Sequence, residues 1–341
     1  MIYLILFLSG FFLSVLLTLF VKKIAVKFQI LDRREKAPDR KFQKKPLPLL
    51  GGLGIFSAFF LVLFLSLKFK FLILPFEFKH LLGLFFASLV LMIGGFFDDK
   101  YNLKPWQTII PPLIACLVVI LSGIGIKVIN NPIGGGLLYL NQLETIFFTF
   151  FWLLILMYAT KLLDGLDGLV AGLTGISSLL IALFCLFSLF AQPEMAKISL
   201  ILTGAVSGFL IFNFYPAKIY LGEGGSLFCG FILGVLAIIS GSKVAITFLI
   251  VGLAVLDLFV TFFRRVLKGQ SPFKADLGHL HHQLLKQGFS GRQTVIFYWV
   301  LSLIFGLSAL FLRTRGKIIL IVLLMIFVIF LIVFLEKKRP A

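Results

Sequence analysis

From Ile318 to Leu335 the chain runs without one charged residue or proline, and stretches of this kind recur from Ile2 onward. That habit closes off most folds. In the hydrocarbon of a bilayer no water pairs with backbone N–H and C=O groups, so only helices and closed barrels cross it. Barrel strands alternate apolar with polar residues, and Ile318–Leu335 does not alternate. The expected fold class is therefore all-α, a polytopic integral membrane protein. Hydrophobic residues make up 60% of the 341, well above the ~45–50% of soluble domains.

A spanning helix takes ~20 mostly apolar residues, and that rule gives about eleven transmembrane helices. They are expected near Ile2–Val21, Leu50–Leu67, Leu81–Phe97, Thr108–Ile126, Ile146–Leu163, Leu169–Phe190, Ile198–Phe212, Leu227–Ser240, Val244–Phe263, Thr294–Leu312 and Ile318–Leu335. No linker, repeat or low-complexity tract divides them, so residues 1–341 read as a single transmembrane domain. The first segment lacks a basic leader and a small-residue cleavage site, and reads as a retained helix. Cys116, Cys185 and Cys229 lie in apolar runs without ligand spacing and read as buried small hydrophobes.

The chain carries 32 basic and 14 acidic residues, a formal charge of +18. In a soluble protein this would suggest nucleic acid. Between apolar runs it instead sets topology and meets anionic lipid. Alternate loops collect most of it: Lys22 to Lys45, Lys100 and Lys104, Lys161, Lys218, Arg264 to Arg292, and the tail Lys337, Lys338 and Arg339. By the positive-inside rule that side is cytoplasmic, with the N-terminus outside and the C-terminus inside. The same side receives Asp98, Asp99, Asp164, Asp167 and Glu223, and three of the four histidines. The acids took no part in fixing the orientation. A charge at the edge of hydrocarbon is costly, so their clustering on one side marks a site.

Each acidic break has its own chemistry. Asp98-Asp99 ends the third segment at the partially negative end of a helix, where a carboxylate is disfavoured by ~0.3–1 kcal/mol. A cation would offset this; the plain alternative is a helix stop facing water. In Asp164-Gly165-Leu166-Asp167-Gly168 the acids stand three apart, on one face if the turn is helical. They repel unless a cation lies between them. Gly222-Glu223-Gly224-Gly225-Ser226 opens a helix. Its Gly222 and Gly224 amides and Ser226 hydroxyl suit a phosphate, and Glu223 suits a metal; a simple loop is the equal alternative. His279-Leu280-His281-His282 lacks the spaced partners of a closed zinc site and suits phosphate contact better. Lys45, at the membrane end of the first basic loop, offers a cation to a diphosphate or lipid phosphate. Asp257 lies inside a segment, either supporting the site or packing helices. All-oxygen ligands favour Mg²⁺, or Mn²⁺, over zinc.

These motifs, in this order, resemble the polyprenyl-phosphate N-acetylhexosamine-1-phosphate transferases of the MraY/WecA/TagO type. Lys45-Pro46 to Gly51-Gly52 resembles the first-loop motif, and Asp98-Asp99 the paired aspartates. Leu163 to Leu169 matches D-G-x-D-G. Asn213-Phe214-Tyr215-Pro216-Ala217-Lys218 leads into Gly222 to Ser226 as N-x-x-P-A-K leads into G-D-x-G-S. His279 to His282 has the H-x-H-H form of the GlcNAc branch. The chain departs from the pattern at Glu223, where an Asp is usual, and at Tyr158 and Lys161, where Asn is common. Gln43 and Leu49 replace a His and an Arg often seen in the first loop.

The resemblance implies transfer of N-acetylhexosamine-1-phosphate, foremost GlcNAc-1-phosphate, from a UDP-N-acetylhexosamine to undecaprenyl phosphate with release of UMP. The setting would be the cytoplasmic face of a bacterial inner membrane, at the start of envelope polysaccharide synthesis. Asp98 or Asp99 would orient or deprotonate the lipid phosphate for direct attack, the alternative being an aspartyl intermediate. Asp164 and Asp167 would shape the nucleotide site, and Glu223, Asp99 and Asp164 would hold Mg²⁺. His279, His281, His282 and Lys45 would hold phosphates. Three other readings stay open: a phospho-MurNAc-pentapeptide transferase, a cation-coupled transporter with mid-membrane acids and a repeat, and a scaffold protein. Oligomeric state is also open, a homodimer among the options.

Overall fold

The computed structural model describes residues 1–32, 46–131, 136–187, 191–241, 244–267, 269 and 278–337. The described chain is a bundle of helices: α1 (Ile2–Lys27), α2 (Gly51–Lys68), α3 (Phe78–Tyr101), α4 (Pro105–Thr108), α5 (Ile110–Leu121), α6 (Gln142–Leu163) and α7 (Leu169–Phe187), followed by α8 (Pro193–Asn213), α9 (Gly222–Ile239), α10 (Val244–Leu267), α11 (Leu280–Lys286), α12 (Gly291–Phe311) and α13 (Thr314–Lys337). Ten of the described helices are long and apolar enough to cross a membrane. The protein is thus a multi-pass, all-α membrane protein.

The remaining expected span, 108–126, is shorter than drawn from the sequence. Helix α5 stops at Leu121, and Gly123, at φ +96°, turns the chain away. A hairpin follows, β3 (Val128–Asn130) against β4 (Leu137–Tyr139), with Val128 opposite Tyr139. The expected span overshoots α5 by five residues, because Ile124 and Ile126 are apolar in a turn as they would be in a helix. Strand β1 (Leu31–Asp32) pairs with β2 (Leu47–Pro48) and ties the end of α1 to the start of α2.

Lipid tails are as apolar as leucine, so helices in a membrane associate through close packing at small residues. Helix α9 is the most enclosed of the spans, with 89% of its apolar window buried. A side chain at Gly52 of α2 would overlap the Cα of Gly225, and one at Gly95 of α3 would overlap the backbone of Gly224. From α6, Trp152 Nε1 donates to Gly234 O at 3.2 Å. The first helix packs on α8 the same way, with Gly10 against Ile201 O and Gly204 against Phe7 O.

Bonds between non-neighbouring segments show which helix ends meet. Gly51 N and Gly52 N, unpaired donors at the start of α2, donate to Tyr220 O (2.9 Å) and Leu221 O (2.8 Å) just before α9. Gln287 Nε2, just after α11, donates to Leu335 O near the end of α13. At the other end, Ile73 N donates to Glu194 Oε2 (2.8 Å) and Ile126 N to Thr149 Oγ1 (2.9 Å). The acids expected to share a site all fall at the first of these two ends.

Candidate active site

Asp99 and Glu223 meet where α3 crosses α9. Asp99 Oδ1 accepts from Glu223 N at 3.0 Å. The carboxylate thereby sits on the positive end of α9, which compensates for its unfavourable place at the end of α3. Gly222, at φ +76°, makes room: a Cβ there would overlap Asp99 Oδ2. Asp98 turns elsewhere. Its Oδ1 accepts from Leu103 N at 2.8 Å, closing α3 beside left-handed Asn102 (φ 52°). The two adjacent acids therefore face different surroundings.

From α6, Lys161 reaches across and forms an ion pair with Glu223 Oε1. One residue earlier, Thr160 Oγ1 donates to Ser226 O at 2.8 Å. Ser226 is 1% exposed and its hydroxyl donates to Glu223 O (3.0 Å). Gly224 lies against Leu91 O and Met92 of α3. Of the expected phosphate donors, Gly224 and Ser226 are thus placed in helix packing, while Gly222 borders Asp99.

The D-G-L-D-G stretch is a turn between α6 and α7, and its acids diverge. Asp167 Oδ2 accepts from Ala217 N at 2.9 Å. Gly168, at φ +81°, donates to Asn213 Oδ1 (3.1 Å), and Asn213 Nδ2 donates on to Ile219 O (3.0 Å). Asn213 and Asp167 so clamp the turn to the segment leading into α9. Among the described residues no donor reaches the Asp164 carboxylate. Burial, then the charges of Glu223, Asp99 and Asp167, pushes its carboxyl well above the usual range. An acid so placed holds its proton more readily, or is relieved by a nearby cation when ionised.

The histidines close the opposite wall. His281 is 1% exposed, and its Nε2 lies 3.5 Å from where a Cβ on Gly165 would be. His282 lies tilted against it with ring centroids 4.1 Å apart. Burial first, then His282 and His279, lowers the His281 pKa well below 6.5. The unfolded chain then binds more protons in acid, so the stability present above about pH 6.5 is lost as pH falls below it. Thermal midpoints in detergent between pH 7 and pH 5 should fall less steeply in His281→Gln than in the wild type. Equal slopes would contradict the assignment.

Asp257 holds this motif in place. It is 2% exposed on α10, and its Oδ2 lies 3.2 Å from His279 Nδ1 while Oδ1 accepts from Leu280 N at 2.9 Å. One acid caps α11 and orients His279, leaving Nε2 as the nitrogen with no hydrogen bond among the described residues. Asp257 has no legible role in the sequence because its partners lie 22 and 23 residues away, and only the fold joins them. Asp257→Ala should lower kcat/KM about 10–100-fold, as loss of an orienting partner does. Asp257→Asn, which can keep the Leu280 bond, should recover part of it and shift the acid limb of the pH profile. A shared loss in both variants with unchanged pH profiles would mean a packing role alone.

Lys45 and Gln43 lie outside the described residues. Their loop re-emerges at Pro46 and pairs with the site, since Tyr220 N donates to Pro48 O at 2.9 Å. For a divalent cation, Asp99, Asp164 and Glu223 are the right kind of donor set, carboxylate oxygens with one under-compensated member. Their spacing is open. Among the described residues no three acid, His or Cys side chains close around one point.

Fold and site define a multi-pass membrane protein with carboxylates, a lysine and histidines gathered at one end of its bundle. Residues 81–241, which carry Asp98 to Glu223, match glycosyl transferase family 4. Decaprenyl-phosphate N-acetylglucosaminephosphotransferase of Mycobacterium tuberculosis is 31% identical over 307 residues, spanning 81% of this chain and 76% of that protein. Probable undecaprenyl-phosphate N-acetylglucosaminyl 1-phosphate transferase of Bacillus subtilis is 26% identical, over 94% and 87% of the two chains. A putative UDP-N-acetylglucosamine–dolichyl-phosphate N-acetylglucosaminephosphotransferase of Saccharolobus solfataricus is 29% identical over 92% and 97%. The chain belongs to glycosyl transferase family 4 and is an enzyme of the phosphotransferase kind. The transporter reading is not favoured: the one acid well inside a span, Asp257, is bonded to His279 and the Leu280 amide.

Proposed function

We propose that this protein transfers N-acetylhexosamine-1-phosphate, foremost GlcNAc-1-phosphate, from a UDP-sugar to a polyprenyl phosphate such as undecaprenyl phosphate. The observation that carries the reading is the meeting of Asp99, Glu223, Lys161 and the D-G-L-D-G turn at one end of the bundle, walled by His281. The relatives' names add the acceptor and the sugar. Basic loops flank the same end, which supports a site on the cytoplasmic face of a bacterial inner membrane.

Chemically, an oxygen of the lipid phosphate bonds to the sugar-linked phosphorus. The bridge to the nucleoside phosphate breaks, and UMP leaves with that oxygen. Such transfers depend mainly on positioning and charge neutralisation. Asp99, fixed by the Glu223 amide, orients the lipid phosphate and takes its proton if it arrives as the monoanion. His281, beside Gly165 of the D-G-L-D-G turn, and its neighbour His282 donate to or accept from phosphate oxygens. His279, held by Asp257, presents one defined nitrogen. Mg²⁺, held by Asp99, Asp164 and Glu223, would neutralise charge on the diphosphate and the leaving UMP.

The test is direct. Purified protein, polyprenyl phosphate and a panel of UDP-sugars are incubated with Mg²⁺ or with EDTA, reading UMP and the mass of the lipid product. UMP release needing both the lipid phosphate and one UDP-sugar is expected. UMP release without the lipid phosphate, or no product with any donor, would overturn the proposal.

A further inference from the structure

Lys161 of α6 and Glu223 of α9 lie 62 residues apart in the chain, and the fold makes them one feature. Lys161 stands in the last turn of α6, three residues before Asp164 at its C-cap. Its ammonium pairs with Glu223 Oε1, with the two side chains 28% and 15% exposed. The Tyr158 ring, one turn earlier on the helix, lies 5.8 Å from the same ammonium. Glu223 reaches the lysine from α9, while its own backbone N–H is taken by Asp99. A cation is thus already supplied to the acid expected to ligate a metal.

We propose that Lys161 is a built-in counter-ion that competes with the divalent cation for Glu223, so that the substrate-free enzyme takes up divalent metal weakly. This rests on the reading of Glu223 as a metal ligand. Two positive charges on one carboxylate repel, so metal uptake at Glu223 is opposed while Lys161 stays paired to Oε1 and is eased when Lys161 swings away. Its flexible, compact ammonium is suited to that movement. A diphosphate would offer the displaced ammonium a new partner.

The test is Mn²⁺ binding to the purified full chain in detergent, without nucleotide, followed by loss of the free Mn²⁺ paramagnetic resonance signal. Lys161→Met, which keeps the stem and removes the charge, should bind at least about tenfold more tightly than wild type, a modest value for removal of an adjacent charge. Lys161→Arg should bind as weakly as wild type. Lys161→Met combined with Glu223→Gln should lose the gain. Lys161→Gln, which can still donate to Glu223, serves if the unpaired carboxylate stops the Met variant from folding. Measurable Mn²⁺ binding that is equal in wild type, Lys161→Met and Lys161→Gln would overturn the inference and leave the metal reading standing. No Mn²⁺ uptake by any of them would overturn the metal reading itself, and the inference with it.

Discussion

Asp99→Asn should lower the turnover of sugar-phosphate transfer by about a thousandfold, within the range for losing a positioned acid–base group. The substitution is close to isosteric. An asparagine oxygen can still accept from Glu223 N, so the α3–α9 crossing should hold and the thermal midpoint should move little. What disappears is the charge that can take a proton and help hold a cation. Asp98→Asn is the informative neighbour. Asp98 spends one oxygen closing α3 through Leu103 N, and an amide oxygen can do the same. Its expected loss is therefore much smaller than that of Asp99→Asn. UMP release at saturating donor measures both, and an Asp99→Asn enzyme within about threefold of wild type would remove Asp99 from the chemistry.

Gly95→Ala should be nearly as damaging without touching a reacting group. A Cβ at Gly95 would overlap the N and Cα of Gly224, and backbone cannot yield as a flexible side chain can. Overpacking of this kind costs about 1–3 kcal/mol. The functional effect should be larger, because Asp99 stands one turn along α3 and its 3.0 Å bond to Glu223 N spans the same crossing. A displacement of ~1 Å can lower a rate about a hundredfold, and that is the expected loss in kcat/KM. Gly175→Ala is the control. Its Cβ would meet Val206 Cγ1 at an ordinary 3.7 Å, and activity should be unchanged. Equal activity in the two variants would show that the crossing tolerates separation.

Most of the architecture is legible in the sequence, for a simple reason. A segment that must pair its own backbone in hydrocarbon has to be a helix, so apolar run length alone locates the spans. The late end drawn for the 108–126 span has the same origin. Ile124 and Ile126 are apolar whether they continue a helix or follow it, and the turn at Gly123 ends α5 at Leu121. The site was legible as a set of acids on one side, because charges beside lipid are too costly to be incidental. Their division of labour was not. Asp98 and Asp99 are neighbours in sequence, yet one closes its own helix and the other binds the start of α9. Asp164 and Asp167 were expected to share a face, yet Asp167 is bonded to Ala217 and Asp164 is left among like charges.

The sequence by itself determined a helical membrane bundle, the side on which its acids gather, and the motifs that place it among sugar-phosphate transferases. Run length and charge placement are local properties, and local properties can be read along a chain. Tertiary structure alone decided that glycines of α3 and α9 bring Asp99 to Glu223, that Asp257 holds His279, and that Lys161 answers Glu223. Each is a contact between segments distant in sequence, and its energy exists only once the helices have packed.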